Sequence, residues 1–286
     1  MAILKVGVIG ATSLVGKCLI PILIKNGIHV VAFSRKTLNA NDNQITWCAL
    51  SNGMSKNNDK LEFLICVAPI WTLPEYFNLL KSAGVRRVIA ISSTSKFTKL
   101  DSLRIEEREI AKKIHEAELC LIEWAEKNTV QWLIFRPTLI YGFGIDKNIS
   151  KLTWFIRTFH FFPLVGLGNG LRQPIHAIDV ARICVNSLYS SNTFNSSFNI
   201  AGAESLTYRE MASRIFESLG LRPYFIRFPV WIVKLGLTVL HINPKYRNIT
   251  YSMFDRMNRD QVFDINEARK LFNFEPRKFK LSSEDL

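Results

Sequence analysis

The sequence lacks the spacing patterns of disulfide-bonded and metal-binding proteins. Its five cysteines are scattered among apolar neighbours without a CxxC pair, and its five histidines are equally dispersed. Zinc sites and disulfide frameworks require closely and regularly spaced Cys or His residues. We therefore predict no metal site, and we interpret the cysteines as small buried side chains in a reducing, cytoplasmic compartment.

Long apolar runs without charge are also missing. No stretch reaches the roughly 18 apolar residues that a membrane-spanning helix needs. Pro229 and Lys234 interrupt the nearest candidate, residues 228–240. This pattern favours a buried or partner-facing helix, with peripheral membrane contact as an alternative. Residues 3–9 resemble a strand and not a signal peptide, so we expect no targeting segment there.

Acidic residues are scarce relative to basic ones. The chain has 37 Lys and Arg against 24 Asp and Glu, which gives a formal net charge of +13. Such a surface attracts anions. The basic residues form neither a run nor a patch interleaved with aromatic residues, which disfavours nucleic acid as a partner. A phosphorylated small molecule is the expected partner.

What the sequence does contain is a regular alternation of strands and helices in its first half. Short apolar strands are predicted at 6–9, 28–33, 45–50, 63–67, 87–91 and 131–135. Helices are predicted at 14–26, 73–82 and 102–128. This alternation predicts an α/β fold in which a doubly wound, parallel Rossmann sheet carries helices on both faces.

The pattern loosens after Gly142, where stretches rich in aromatic residues, Gly and Pro appear. We assign residues 1–142 to an NAD(P)-binding Rossmann domain, to which segments of 173–202 return. Residues 143–286 mainly form a smaller, discontinuous C-terminal substrate lobe. A cleft is expected between the two.

A glycine-containing turn follows the first strand and opens the first helix. Gly10 allows a tight turn, Gly16 allows the helix to pack close to the strand, and the amides at the helix start can bind phosphates. The residues predicted to bind the cofactor here are Gly10, Thr12, Ser13, Leu14, Val15 and Gly16. The alternative is a tight turn that binds no ligand.

The end of the second strand carries the signal for the type of dinucleotide. An NAD site usually has an acidic residue here for the ribose hydroxyls, but this chain has Arg35 followed by Lys36. An arginine can make two hydrogen bonds to a 2′-phosphate. We therefore predict NADP(H) as the preferred cofactor, with NAD(H) as the alternative. A solvated surface arginine is the other interpretation of Arg35.

Several further segments match one family in order. The turn resembles a GATGxxG loop with Ser13 in place of the central glycine. Further segments that resemble family motifs are Ala68-Pro69, the Ile-Ser-Ser-Thr of 91–94, the RPxxxYG pattern of 136–142, the RxxIHxxDVA pattern of 172–181, and 198–202. The chain thereby resembles the extended short-chain dehydrogenase/reductases, specifically the NAD-dependent epimerase/dehydratase (nucleoside-diphosphate-sugar epimerase) family.

The resemblance implies roles for individual residues. Ala68 and Pro69 would line the cofactor. Thr94 aligns with the catalytic Ser/Thr, and Arg172 aligns with an arginine that binds the substrate diphosphate. Tyr141 would shape the substrate cleft. For two residues of the 172–181 segment we favour structural roles: Asp179 as a helix N-cap, and His176 as a packed, hydrogen-bonded side chain.

One departure from the family pattern affects catalysis. The family's proton donor is a Tyr four residues before a Lys, but the helix that should carry this pair has no tyrosine in 104–118. Lys113 borders the buried stripe predicted for this helix, so it is our candidate for the ribose contact, with a solvated lysine as the alternative. The members of that stripe are Ile110, Ile114, Ala117, Leu121 and Trp124. Thr94, Lys96, Tyr141 and a bound water remain open as the proton source.

Two functions remain in competition. The first is an NAD(P)-dependent oxidoreductase or epimerase acting on a nucleotide sugar or a similar anionic, oxygenated substrate. The second is a non-catalytic NAD(P)-binding sensor or assembly subunit, which the missing tyrosine favours. The resemblance also implies a homodimer.

Overall fold

The structure is a computed structural model that describes residues 4–34, 43–49, 61–190, 193–229 and 256–286. A seven-stranded sheet in the order β11-β6-β5-β4-β1-β2-β3 forms its centre, and all of its neighbouring strands are parallel. The strands in chain order are β1 (Lys5–Ile9), β2 (His29–Ser34), β3 (Ile45–Ala49), β4 (Phe63–Cys66), β5 (Arg87–Ile91), β6 (Gln131–Pro137), β7 (Ile140–Tyr141), β8 (Phe162–Val165), β9 (Leu171–Arg172), β10 (Ile175–His176), β11 (Ser196–Ile200), β12 (Leu206–Thr207) and β13 (Phe225–Phe228).

Helices connect these strands. They are α1 (Leu14–Lys25), α2 (Phe77–Ser82), α3 (Ser95–Thr98), α4 (Ile105–Lys127), α5 (Ile149–Phe159), α6 (Ala177–Leu188), α7 (Tyr208–Ser218) and α8 (Asn266–Phe272). The helix predicted over 73–82 is instead a 3-10 helix, Ile70–Tyr76, followed by α2. Pro74 lies inside the 3-10 segment and has no N–H to donate to an α-helical bond.

The side chains of each sheet strand alternate between two hydrophobic cores. Val6 and Val8 of β1 pack on the face covered by α1, α6 and α8. Ile9, together with Val31 and Phe33 of β2, packs on the opposite face, under α2 and α4. Alternation of this kind on a sheet covered on both faces is the signature of a doubly wound sheet. The predicted Rossmann-type α/β fold is confirmed.

A third core lies outside the sheet. It joins α5 and α7 to β8 and to the segments 257–281 through residues such as Ile156, Phe162, Ile215 and Phe279. β8 pairs in parallel with β13. The chain also returns to the main sheet, because β11 pairs with β6 and α6 packs on α1. The division of the chain at residue 142 stays a prediction.

Two details of the predicted burial are wrong. Ile110 is 36% exposed, because the buried face of α4 is rotated and carries Ala111 and Glu118 in addition to Ile114. Cys120 on the same helix is exposed, although the cysteines were expected to be buried. The 228–240 segment lies outside the described residues from 230 onward. Among the helices that the structure describes, none has the length and apolar character needed to cross a membrane.

Replacing Gly16 with Ala should destabilise the fold. A Cβ at this position would collide with the backbone carbonyl oxygen atoms of Gly10 and Ala11. Overpacking against rigid backbone costs about 1–3 kcal/mol, which outweighs the better helix propensity of alanine. Urea unfolding measures the loss. Gly27→Asn is the control, since Gly27 has a positive φ but open space around it and Asn tolerates that conformation. Equal stability of Gly16→Ala and wild type would contradict the prediction.

Candidate functional site

The loops that follow β1 and β4 touch each other at the carboxyl edge of the sheet. Gly10 has φ +85°, and a Cβ on it would lie 2.5 Å from the backbone nitrogen of Ala68. Both a positive φ and such a close approach favour glycine. The structure therefore brings together two segments that were predicted to bind the cofactor, the Gly10 turn and Ala68-Pro69.

Ser13 takes the place of a glycine without strain. Its φ is −70°, and it is the N-cap residue of α1. The Ser13 hydroxyl accepts a hydrogen bond from the Gly16 amide at 3.1 Å and donates one to the Val67 carbonyl at 3.4 Å. The side chain therefore fastens the loop after β1 both to α1 and to the end of β4.

The start of α1 has the properties that a pyrophosphate requires. The first amides of a helix have no partner within the helix. The amide of Gly16 donates to the Ser13 hydroxyl, so the amides of Leu14 and Val15 are the ones at the helix start that could bind an anion. The first turn contains no acidic residue that would repel an anion, and the only basic residue in the last turn is Lys25. Thr12 is exposed at the tip of the turn. These residues fit the bridging phosphates of a dinucleotide.

Arg35, on which the NADP(H) preference rests, lies outside the described residues. The last described residue of β2 is Ser34, which is buried and pairs in register with Ala49 of β3. The role of Arg35 therefore stays a prediction.

Thr94 lies just beyond the end of β5, at the N-cap position of α3. Its side chain is buried, and its hydroxyl donates a hydrogen bond to the carbonyl of Pro137 at 3.1 Å. The Thr94 amide donates to the same carbonyl. Because the hydroxyl proton is engaged, the Thr94 oxygen can only accept a further hydrogen bond in this conformation.

Beside Thr94 lies a cluster of charged residues whose assembly around Glu118 the sequence did not predict. Glu118 of α4 is only 1% exposed. Its carboxylate accepts hydrogen bonds from Ser92 Oγ at 2.5 Å, Lys96 Nζ at 2.6 Å, and Arg136 Nε and Nη2 at 2.9 and 2.8 Å. The ring of Phe97 lies under both cations. The sequence did point to Arg136, which belongs to the RPxxxYG pattern. No motif identified its partner on α4.

The Glu118 carboxylate is ionised in this setting. Burial alone would raise its pKa, but the hydrogen bonds from Arg136, Lys96 and Ser92 outweigh burial and hold the pKa below 4.5. One carboxylate of α4 therefore joins the end of β5, α3 and β6 next to Thr94.

Lys113, the candidate for the ribose contact, has an exposed side chain on α4. The neighbouring Lys112 is also exposed and forms a surface ion pair with Glu116 at 3.7 Å. Exposure is compatible with both interpretations of Lys113, so its cofactor contact stays a prediction.

Tyr141 does not line an open cleft. Its ring is fully buried and packs edge-on against His176 and Phe279, with ring centroids 5.0 and 4.9 Å away. Burial raises the pKa of its phenol far above the ordinary value. A side chain without accessible surface has no direct contact with a substrate in this conformation, and the predicted part of Tyr141 in shaping the substrate cleft stays a prediction.

The 172–181 segment places a histidine, not an aspartate, at the helix cap. His176 is the N-cap of α6, and its Nδ1 accepts the amide hydrogen of Ile178. Its Nε2 therefore carries the proton and donates to Asp285 Oδ1 at 3.1 Å. The prediction of Asp179 as N-cap is wrong: Asp179 lies buried in the first turn, where its carboxylate binds the guanidinium of Arg277.

Arg172 is 5% exposed and lies over the ring of Tyr208. Its Nη1 donates to the carbonyls of Leu171 and Arg259 at 2.7 and 2.8 Å. At least this part of the guanidinium is engaged within the protein. The predicted contact of Arg172 with a substrate diphosphate stays a prediction.

Part of the chain is similar to a known protein family. Residues 75–201 match the NAD dependent epimerase/dehydratase family. This segment runs from the 3-10 helix through Thr94, α4 and the 172–181 segment to the end of β11. The resemblance drawn from the sequence motifs is thereby confirmed.

Curated relatives match shorter parts of the chain. A 102-residue stretch is 26% identical to "NADH dehydrogenase [ubiquinone] 1 alpha subcomplex subunit 9, mitochondrial" of Arabidopsis thaliana, and covers 35% of this chain and 25% of that protein. A 120-residue stretch is 24% identical to a UDP-glucose 4-epimerase of Vibrio cholerae, and covers 42% of this chain and 37% of the relative. The alignments therefore span between a quarter and two fifths of these relatives' lengths.

Solved structures resemble the chain over nearly its whole length. The UDP-glucuronic acid 4-epimerase of Bacillus cereus in complex with NAD has a TM-score of 0.71 at 15% identity, with 99% of this chain and 95% of the other covered. MoeE5 in complex with UDP-glucose and NAD has a TM-score of 0.68 at 20% identity, with 96% and 94% covered. At these identities the likeness establishes the fold.

Metal-binding geometry is not found within the described ranges. No group of three or more His, Cys, Asp or Glu side chains in this part of the chain is placed to hold a metal ion. The absence of a metal site in the protein stays a prediction.

Removing the charge of Glu118 should destabilise the protein strongly. Glu118→Gln leaves Lys96 and Arg136 largely buried without their carboxylate, and breaking a buried ion pair costs about 3–5 kcal/mol. Urea unfolding at neutral pH measures this loss. Glu116→Gln on the same helix removes an exposed pair and should change the stability by less than about 1 kcal/mol. Similar losses in both variants would contradict the role of Glu118.

The same carboxylate should make stability dependent on pH. Because its pKa is below 4.5 in the folded state, its contribution is present above pH 4.5 and is lost as the pH falls through the lowered pKa. The free energy of unfolding of the wild type should therefore fall more steeply in this acidic range than that of Glu118→Gln. Parallel pH profiles of the two proteins would contradict this assignment.

Proposed function

We propose that the protein binds a nicotinamide dinucleotide over the start of α1 and prefers NADP(H). The single observation that supports this proposal is the close contact at Gly10. There the loop after β4 packs directly against the turn that opens α1. The solved relatives that bind NAD share this fold. When bound, the nicotinamide would accept or donate a hydride. Under the proposal, Gly10, Thr12, Leu14, Val15, Ala68 and Pro69 line its phosphates, while Arg35 holds the 2′-phosphate.

We further propose an NAD(P)-dependent oxidoreductase or epimerase reaction on a nucleotide sugar or a similar anionic, oxygenated substrate. In this reaction the Thr94 oxygen accepts a hydrogen bond from the substrate hydroxyl, because its own proton is engaged by Pro137. Arg172 and the basic surface would attract the substrate phosphates. The Vibrio cholerae relative is named for an activity of this class.

The proton in this proposal travels through a bound water. Tyr141 is buried, the Thr94 proton is bonded to the backbone, and the Lys96 ammonium is held by Glu118. Of the four proton sources that the sequence left open, water is the one not already committed within the described structure. The partly buried Lys96 and Arg136 would stabilise developing negative charge beside Thr94.

A second candidate is a non-catalytic NAD(P)-binding subunit. The observation that favours it is α4 itself, which contains no tyrosine to pair with Thr94. The Arabidopsis relative, named as a subunit of an NADH dehydrogenase, is consistent with such a role. In either case we propose a reducing, cytoplasmic location for the free cysteines.

The cofactor preference can be tested at Arg35. Arg35→Ala should weaken NADPH binding roughly tenfold or more, because one or two charge-assisted hydrogen bonds are lost, each worth about 1.5–3 kcal/mol. NADH binding should not change. Titration of the protein with each dinucleotide, followed by fluorescence, measures both affinities. Lys25→Ala, at the other end of α1, is the control and should bind both as the wild type does. Equal losses for NADPH and NADH would refute the 2′-phosphate contact.

Catalysis is tested separately from binding. Deuterium transfer from labelled NADPH into a panel of UDP-sugars and their keto forms should be detectable by mass spectrometry for the wild type. Thr94→Val should reduce the transfer roughly tenfold through loss of one hydrogen bond to the substrate, while Thr94→Ser should retain it. NADPH binding without transfer to any substrate of the panel would instead support the non-catalytic subunit.

A further inference from the structure

Helix α5 presents aromatic side chains outward. Its inner face is anchored by the buried Ile149, Thr153 and Ile156. On its outer side Trp154 is 61% exposed, and Phe159 at its end is 49% exposed. The two rings meet edge-on, with centroids 6.2 Å apart. Exposed large aromatics that touch each other on a rigid helix are unusual on a surface that faces only water.

The aromatics are flanked by cations. Lys147 just before the helix and Lys151 and Arg157 within it are exposed. Lys151 and Trp154 lie three residues apart, so they share the outward face. We call the surface formed by Lys147, Lys151, Trp154, Arg157 and Phe159 the α5 face.

Acidic side chains do not offset this charge in the same segment. The acidic residue of 143–166 is Asp146, and its carboxylate accepts hydrogen bonds from the amides of Asn148, Ile149 and Ser150 at the helix start. Its charge is therefore matched to the helix dipole. Arg157 Nη2 donates to the carbonyl oxygen of Leu286 at 3.0 Å, so the exposed Lys147 and Lys151 provide the main positive charge of the α5 face.

A neighbouring segment of the same polypeptide adds further aromatic and basic side chains to this surface. The amide of Phe162 donates to the carbonyl of Tyr224 at 2.9 Å, which brings the 222–224 segment beside the end of α5. Tyr224 and Arg222 are both exposed there. The surface thus gains another aromatic side chain and another cation.

We propose that the α5 face docks on the surface of an anionic lipid bilayer, without spanning it. Trp and Tyr rings favour the headgroup region of a bilayer. An amphipathic helix with aromatics and flanking Lys and Arg lies in that interface and is attracted by acidic lipids. Charge complementarity selects this occupant over a second copy of the chain, because two positive α5 faces would repel each other. The proposal does not depend on the proposed reaction.

Vesicle sedimentation tests the proposal with the full chain. Wild-type protein should bind vesicles of equimolar phosphatidylcholine and phosphatidylglycerol, and binding should weaken in high salt. It should bind vesicles of phosphatidylcholine alone far less. Lys147→Ala combined with Lys151→Ala should weaken binding roughly 30-fold, from about 1 kcal/mol for each cation. Trp154→Ala should weaken it roughly tenfold, from about 1.5 kcal/mol of lost apolar burial.

Matched controls keep the test specific. Lys81→Ala combined with Lys127→Ala removes the same charge from exposed positions elsewhere, and Leu103→Ala removes an exposed apolar side chain at the start of the α4 segment. These variants should bind vesicles nearly as the wild type does. Thermal unfolding and NADPH affinity should be unchanged in all variants, which separates this proposal from the proposed function.

Several outcomes would overturn the proposal. Equal binding to vesicles with and without phosphatidylglycerol would remove the electrostatic argument. Equal losses in the α5-face and control variants would show that net charge alone drives binding. A stable dimer in solution that Trp154→Ala converts to a monomer would show that a second copy occupies the α5 face.

Discussion

The close contact between the turn at Gly10 and the backbone at Ala68 is the constraint on which the rest of the site depends. The first helix can start directly at the sheet edge only because Gly10 and Gly16 have no side chains. That position points the helix amides at the edge where β1 and β4 end. Ser13 fixes the geometry through its two hydrogen bonds. The predicted phosphate-binding surface thus results from steric fit between backbone segments and needs no dedicated charged side chain.

A second constraint holds the other half of the edge. The residue after β5, helix α3 and strand β6 each contribute donors to the buried Glu118 carboxylate of α4. In a setting of low dielectric constant, an ion cluster of this kind is rigid, because any displaced partner leaves an uncompensated charge. The position of Thr94 is fixed in the same region by two hydrogen bonds to Pro137. This side of the candidate site is therefore preorganised.

The sheet could be predicted from the sequence because its strands are short apolar runs between clear helix and turn signals. The Gly10 turn was predictable for the same reason, since local chain geometry dictates its glycines. Contacts between distant segments were not predictable. Glu118 looks like any charged residue on a helix, and only its approach to Arg136, 18 residues along the chain, shows that it is buried. Asp179 was misjudged in the same way, because its partner Arg277 lies far along the sequence.

The return of the chain to the sheet has a consequence for folding. Strand β6 ends at residue 137, yet its outer neighbour β11 begins at residue 196. While the ribosome makes the intervening residues, the already synthesised β6 has a bare, apolar edge of unpaired amides and carbonyls. Such an edge invites pairing with other chains. Nascent protein arrested between these two strands should therefore be the form most prone to aggregate and most dependent on chaperones.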